Sequence, residues 1–192
     1  SGVKLRSNEL QVGYVDKTLT IRGGYSISDW TNADPETNPT VLDALERGRV
    51  LYLTERTAPV VEGLHITRGI FESGAAEGGG IFVNCTTATV RGCRIFGNRA
   101  VLGGGVFLND NTHSELHSNT IRDNQAEWGG GVMLAECWDT PAVTLSANLI
   151  TSNTASFGGG LASWQSRLIV TNNVVADNRC GVEAGAMYLS DS

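Results

Sequence analysis

No run of 18 or more apolar residues occurs anywhere in the 192 residues, so the chain has no stretch suited to a membrane-spanning helix. It also lacks a charged-then-apolar leader, and the sequence as given is expected neither to cross a membrane nor to carry its own export signal. Basic residues are scarce: 14 Lys and Arg stand against 20 Asp and Glu, for a net charge of −6. That balance excludes the concentrated positive patch that nucleic acid or an anionic membrane surface would need. The four cysteines, Cys85, Cys93, Cys137 and Cys180, show no CxxC spacing, which argues against a structural zinc site or a dithiol redox motif. Cys85 and Cys93 flank an expected turn and would be close enough to bridge, but small buried free thiols are the simpler reading. Aromatic residues make up only 7%, too few for an ordinary aromatic-rich core. Apolar residues never recur at a helical spacing of 3.6 over a useful length.

What the chain has instead is glycine, 24 of them, and they are not scattered. Gly78-Gly79-Gly80-Ile81-Phe82-Val83 is repeated as Gly103-Gly104-Gly105-Val106-Phe107-Leu108, as Gly129-Gly130-Gly131-Val132-Met133-Leu134, as Gly158-Gly159-Gly160-Leu161 and, degenerated, as Ala184-Gly185-Ala186-Met187-Tyr188-Leu189. The spacing between successive copies is 25, 26, 29 and 26 residues, a period that signals a solenoid. The triplets are not phosphate loops, because no Lys-Ser/Thr follows them and turn geometry at solenoid period accounts for them.

Laying the coils over one another gives columns. Val61, Val90, Leu116, Leu145 and Val170 share one position, and Ile66, Ile95, Ile121, Ile150 and Val175 share another five residues on; both suit inward strand positions. Between them runs Leu64, Cys93, Asn119, Asn148, Asn173, and three residues past the isoleucines runs Gly69, Asn98, Asn124, Asn153, Asn178. Asparagine tolerates left-handed backbone, and its amide can bond the asparagine of the adjacent coil at about 4.8 Å spacing. A small-residue column, Ala100, Ala126, Ala155, Cys180, marks a tight corner. The pattern predicts an all-β fold, a right-handed parallel β-helix of about six coils and on the order of 30 Å long. A leucine-rich repeat is the runner-up, since Val143 to Ile150 imitates its core, but the second asparagine column and the glycine strand leave no room for that repeat's helical side. Residues 1–192 read as a single β-helix domain, with 1–17 as a partial coil or cap (Val3-Lys4-Leu5, then Leu10-Gln11-Val12) and 26–39 as an inserted loop rich in turn formers. The chain stops at Asp191-Ser192 just after a strand-like segment, which reads as a fragment of a longer repeat region or as an open end that stacks with other subunits.

The triplets preceded by Asn98-Arg99-Ala100, Asn124-Gln125-Ala126 and Asn153-Thr154-Ala155 resemble the N-x-A…G-G-[GA]-[IVL] pattern of bacterial pectate-lyase-like right-handed β-helix repeat proteins, and chlamydial polymorphic outer-membrane proteins share a related motif pair. The opening Lys17 to Tyr25, followed by Thr40-Val41-Leu42-Asp43, is similar to the way such secreted repeat regions begin. The resemblance implies an extracellular or cell-surface bacterial setting. It is specific for fold and general for function, because this scaffold carries lyases, hydrolases, adhesins, phage spikes and passive stalks.

Two candidate surfaces follow. Glu62, Arg91 and His117 lie beside the first core column, with Glu115 just before Leu116, and together they offer a carboxylate or imidazole for proton transfer and an arginine for a uronate. Solvated polar side chains on an outward face explain the same residues. His113-x-Glu115-x-His117 alternates along a strand but lacks the further ligand that a tetrahedral zinc site needs; no metal and no cofactor is expected. The second surface is apolar. After the glycines both strand parities are hydrophobic: Ile81, Val106, Val132, Leu161 and Met187 in one column, Leu51, Phe82, Phe107, Met133, Ala162 and Tyr188 in the next. Only one can point inward, so the other is expected to form an exposed external strip beside a column of Leu102, Trp128 and Phe157, unless a loop such as 26–39 or a chain end covers it. A strip of this kind would bind protein or sugar rings. The expected function is a secreted or surface-displayed structural or adhesion module, non-enzymatic and open to self-assembly as a homo-oligomer or filament; the alternative is a lyase or glycoside hydrolase acting on acidic polysaccharide through the Glu62 face.

Overall fold

The glycine triplets are the tightest points of the chain, and each residue of a triplet is glycine for its own reason. In the computed structural model, which describes residues 11–72, 76–110, 113–138 and 140–191, Gly103 takes a φ of 61°, a left-handed conformation that side-chain-bearing residues adopt only at a cost. Gly104 and Gly105 press against the next coil: a Cβ on Gly104 would lie 2.4 Å from the Gln125 carbonyl oxygen, and one on Gly105 2.5 Å from that of Gly131. Adjacent coils therefore run backbone against backbone here. Directly after each triplet the chain enters a strand.

Those strands stack in parallel. Gln11–Val15, Arg49–Leu53, Ile81–Asn84, Val106–Asn109, Val132–Ala135, Leu161–Trp164 and Met187–Ser190 form a seven-stranded first face. The second face contains six strands, from Thr20–Arg22 through Thr89–Arg91 and Glu115–His117 to Leu168–Thr171. The third also has six, from Thr40–Asp43 through Arg94–Phe96 and Thr120–Arg122 to Val174–Ala176. The chain thus winds as an all-β parallel solenoid, and residue pairing matches the columns read from the sequence: Val61, Val90, Leu116, Leu145 and Val170 are successive partners, as are Ile66, Ile95, Ile121, Ile150 and Val175. Down to Leu145 and Ile150 these side chains fill one continuous core running along the axis, with Val175 packed against it and Val170 exposed in the last coil, each buried Leu or Ile contributing about 2 kcal/mol. Val3-Lys4-Leu5 and Leu10 lie outside the described residues; Gln11–Val15 joins the first face through Arg49–Leu53.

Two files of asparagine run through the later coils, Asn98 to Asn178 and Asn119 to Asn173. Asn124 Oδ1 accepts both the backbone N–H and the side-chain amide of Asn98 at 3.0 Å, while its own Nδ2 donates to the Ile95 carbonyl at 2.9 Å and to Asn153 Oδ1 at 3.1 Å. Asn119, Asn148 and Asn173 repeat the arrangement at the other turn, with Cys93 at the head of the file donating its N–H to Asn119 Oδ1. One detail differs from the expectation. The left-handed residue is the one before each asparagine, as at Gly92, Ser118, Ala147 and Asn172 or Gly97, Asp123, Ser152 and Asp177. The asparagines are there for their amides, since a buried turn needs a donor and an acceptor on every coil.

A hydroxyl series, not anticipated from the sequence, does related work at the corner between the first and second faces. Thr86 Oγ1 accepts the Thr57 N–H at 2.9 Å, Ser114 Oγ that of Ala88 at 2.9 Å and Ser166 Oγ that of Cys137 at 3.1 Å. Thr86 and Ser166 lie six residues past the last glycine of their triplets, Gly80 and Gly160, but the turn is longer in the coil of Ser114, nine past Gly105, so the series does not hold one spacing. All four cysteines are free, Cys93 and Cys137 in the core, and burial pushes the Cys93 thiol up to about 11.

Removal of one amide from the middle of a file leaves buried donors and acceptors on two neighbouring coils unpaired, each costing about 1–3 kcal/mol. Asn124→Ala is therefore expected to lower stability by about 3 kcal/mol in chemical denaturation, and Asn178→Ala, in the last coil, by about half as much. Ala147 holds a φ of 54° without being glycine; Ala147→Gly should raise the denaturation midpoint, with a gain of about 1 kcal/mol.

Candidate functional site

The external column of the first face is not what strand alternation alone suggested. Register pairs Leu51 with Ile81 and Tyr52 with Phe82, so Leu51, 1% exposed, belongs to the core and Tyr52 takes its place outside. The misplacement arises because the first coil lacks the glycine triplet that fixes register in the others; Arg49 stands where Gly79 does one coil later. Its guanidinium lies 4.3 Å from the Phe71 ring centroid and within 5.0 Å of those of Tyr52 and Phe82.

Nor is the column an exposed strip. Phe82, Phe107, Met133 and Ala162 are buried, Phe107 to 1% exposure, in a second hydrophobic cluster outside the solenoid wall. Among the described residues, the cover is not the 26–39 loop. It is the arm of each coil that leads into its glycine triplet: Glu77, Leu102, Trp128 and Phe157 bridge one another in parallel, and their side chains fold back over the sheet. Under that arm Tyr52 stacks on Phe82 at 5.0 Å and Phe82 on Phe107 at 5.3 Å, and along the arm Trp128 stacks on Phe157 at 4.0 Å. The cover is made of many well-packed aromatic contacts, each worth about 1 kcal/mol beyond burial.

The stack is interrupted, and the interruption is a groove. After Phe107 the column narrows to Met133 and then Ala162 before Tyr188 restores a ring. Two residues along, Asn84, Asn109, Ala135, Trp164 and Ser190 form the neighbouring column, again with a small residue between larger ones. A hollow of about 440 Å³ opens at this gap. Phe107, Met133 and Ala135 line it from the sheet, Leu102 and Trp128 from the arm, and Tyr188 and Trp164 from the following coils. The Tyr188 ring stands at 75° to Trp128, with centroids 5.5 Å apart, making a corner of two aromatic walls. Carboxylates reach the groove from both ends of the strands it crosses, Glu77 from the arm and Glu136 from the turn after Val132–Ala135. Of the eight residues expected to bind, Leu102, Phe107, Trp128, Met133 and Tyr188 come together here; Phe82 and Phe157 brace the stack beside it and Leu51 faces away. Trp164, Glu77, Asn109, Glu136 and Ser190, which also line the groove, were missed. Their signal in the sequence is the break in side-chain size down two aligned columns.

The polar face is a separate concavity of about 260 Å³, lined by Arg22, Glu62, Arg91, His117 and Ser118 and walled by Ala33 and Pro35 of the inserted loop. That loop is held by its own acids. Asp29 accepts hydrogen bonds from the side chains and backbone N–H groups of Asn32 and Thr31, which hold its carboxyl well below the usual range, and Glu36 pairs with Arg94 across the third face. Glu62, Arg91 and His117 do share one column, with Glu115 in the adjacent one paired to Thr89 and Thr144. Glu62 is occupied: Arg22 and Arg91 both donate to its Oε2, at 2.8 and 3.0 Å. Partial burial pushes its carboxyl up, but these bonds and charges together bring it below the ordinary value of 4.5, the wrong direction for a general acid. His117 is within hydrogen-bond distance of Ser146 and Ser118 through its two ring nitrogens, at 3.0 and 3.1 Å. Among the described residues no three His, Cys, Asp or Glu side chains gather as a metal site requires.

Residues 46–175 match the family described as a right-handed beta helix region. The chain belongs to the right-handed β-helix family. No curated protein and no solved structure matches. In this right-handed β-helix protein, as in any use of the scaffold, function is carried by what the outer faces display.

Because the Glu62 carboxyl is depressed in the folded state, its contribution to stability is present above its ordinary value and is lost as pH falls through the lower folded one. Glu62→Gln is expected to be less stable than the parent at pH 7 by under about 1 kcal/mol, as the pair is partly solvated. The two denaturation midpoints should converge well below pH 4.5.

Proposed function

We propose that this chain is a non-enzymatic binding module of an extracellular or cell-surface β-helix protein, taking a group from a glycan or protein partner into the groove beneath the Leu102–Trp128 arm. The observation that carries the reading is the groove itself: an open hollow of about 440 Å³ with aromatic walls, set by strand register on a sheet whose coils are tied together by the amide files. Groups held on such a frame keep their geometry without cost at the moment of binding. Trp164, 42% exposed at the groove wall, is the ring most available to a ligand.

A second reading, a lyase or glycosidase for acidic polysaccharide, draws on the pairing of Arg22 and Arg91 beside His117 in the smaller concavity. It ranks below the first because the carboxylate there is committed to two arginines.

The binding reading is tested by screening glycan and peptide arrays with the parent protein and with Trp164→Ala, whose loss leaves the core intact. Hits are expected to weaken at least tenfold in the variant, with an unchanged circular dichroism spectrum. Hits of equal strength in both proteins would remove the groove from consideration, and turnover of an acidic polysaccharide abolished by Arg91→Ala would favour the second reading.

A further inference from the structure

The chemistry of the groove is narrower than its aromatic walls alone require. Among the described residues its lining contains two carboxylates, Glu77 and Glu136, and no lysine, arginine or histidine, in a chain whose net charge is −6. An anionic ligand would be repelled from it. Most of the surface contributed by the sheet and arm, from Phe107, Met133, Ala135, Leu102 and Trp128, is apolar, with Asn109 and Ser190 as the neutral polar groups at its edge, so a sugar ring seated there would leave most of its hydroxyls without partners.

A cation whose charge is wrapped in methyl groups meets neither obstacle. Its methyls pack on aromatic and thioether surface, its charge is attracted by ring faces and by carboxylates, and it has no N–H that must find an acceptor. The walls have the shape this needs: Trp128 and Tyr188 meet at 75°, the exposed Trp164 adds a third ring above a floor of buried Phe107 and Met133, and Glu136 stands in the turn at the end of the Val132–Ala135 strand beneath them. Resting on the reading that the groove is the binding site, we propose that its ligand is a small molecule bearing a quaternary ammonium group, of the choline type.

The probes are choline and its neutral isostere 3,3-dimethyl-1-butanol, titrated against tryptophan fluorescence and by calorimetry. Choline is expected to bind at least tenfold more tightly than the isostere. Glu136→Gln, at an exposed turn where folding is not at stake, should weaken choline several-fold and leave the isostere unchanged, while Trp164→Ala should weaken both. Equal affinity for the two probes, no binding of choline, or choline binding indifferent to Glu136→Gln would each overturn the proposal. If choline fails but a neutral glycan or peptide binds and is lost in Trp164→Ala, the ammonium inference falls and the groove reading stands. If no ligand responds to Trp164→Ala, both fall.

Discussion

Everything in this molecule depends on one coil lying in register on the next. The amide files enforce that register: an asparagine oxygen inside a file receives two donors from the coil before it, while its side-chain nitrogen gives one bond back to a carbonyl of that coil and one forward to the next asparagine. A slip of one residue would strand these groups in a buried turn, where an unpaired polar atom costs about 1–3 kcal/mol. With the turns pinned, isoleucine stacks on isoleucine and the glycine strands close backbone to backbone. Hydrophobic burial supplies the larger share of the stabilisation, while the amides decide which of many similar stackings is populated.

The second consequence of register is the double wall on the first face. A solenoid strand has an inner and an outer row, and an outer row of Phe82, Phe107 and Met133 would be a liability if left open. This chain resolves the problem locally. Each coil carries a short arm, ending in Leu102, Trp128 or Phe157, that bends over the row of its own neighbourhood before the glycines turn the backbone into the next strand. Because the cover is built coil by coil, a change of side-chain size at one level leaves a hole at that level and nowhere else. Met133, Ala135 and Ala162 are such changes, and the groove is the hole.

The two outer concavities differ in kind. The one beside Arg22 and Arg91 is a surface where the carboxylate and both arginines have already found partners, walled by Ala33 and Pro35 of the 26–39 insertion. The groove is a surface where aromatic area and carboxylates lie together, with no cationic side chain in its lining among the described residues.

Period, column identity and the position of both asparagine files were legible in the sequence, because in a solenoid a residue's neighbours are the residues one repeat away, and spacing in sequence becomes adjacency in space. The same logic failed where spacing varies or an anchor is missing. Leu51 was set one place out for want of a glycine triplet ahead of it, and the Thr86, Ser114 and Ser166 hydroxyls were hidden by turns of unequal length. Alternation told that a row of rings must lie outside the core, but whether that row meets solvent depends on how the Leu102, Trp128 and Phe157 arm folds back. That bend is a property of chain direction in three dimensions, and no column of aligned residues records it. The sequence alone determined the solenoid; only the tertiary structure decided that its apolar outer row is roofed, and where the roof is open.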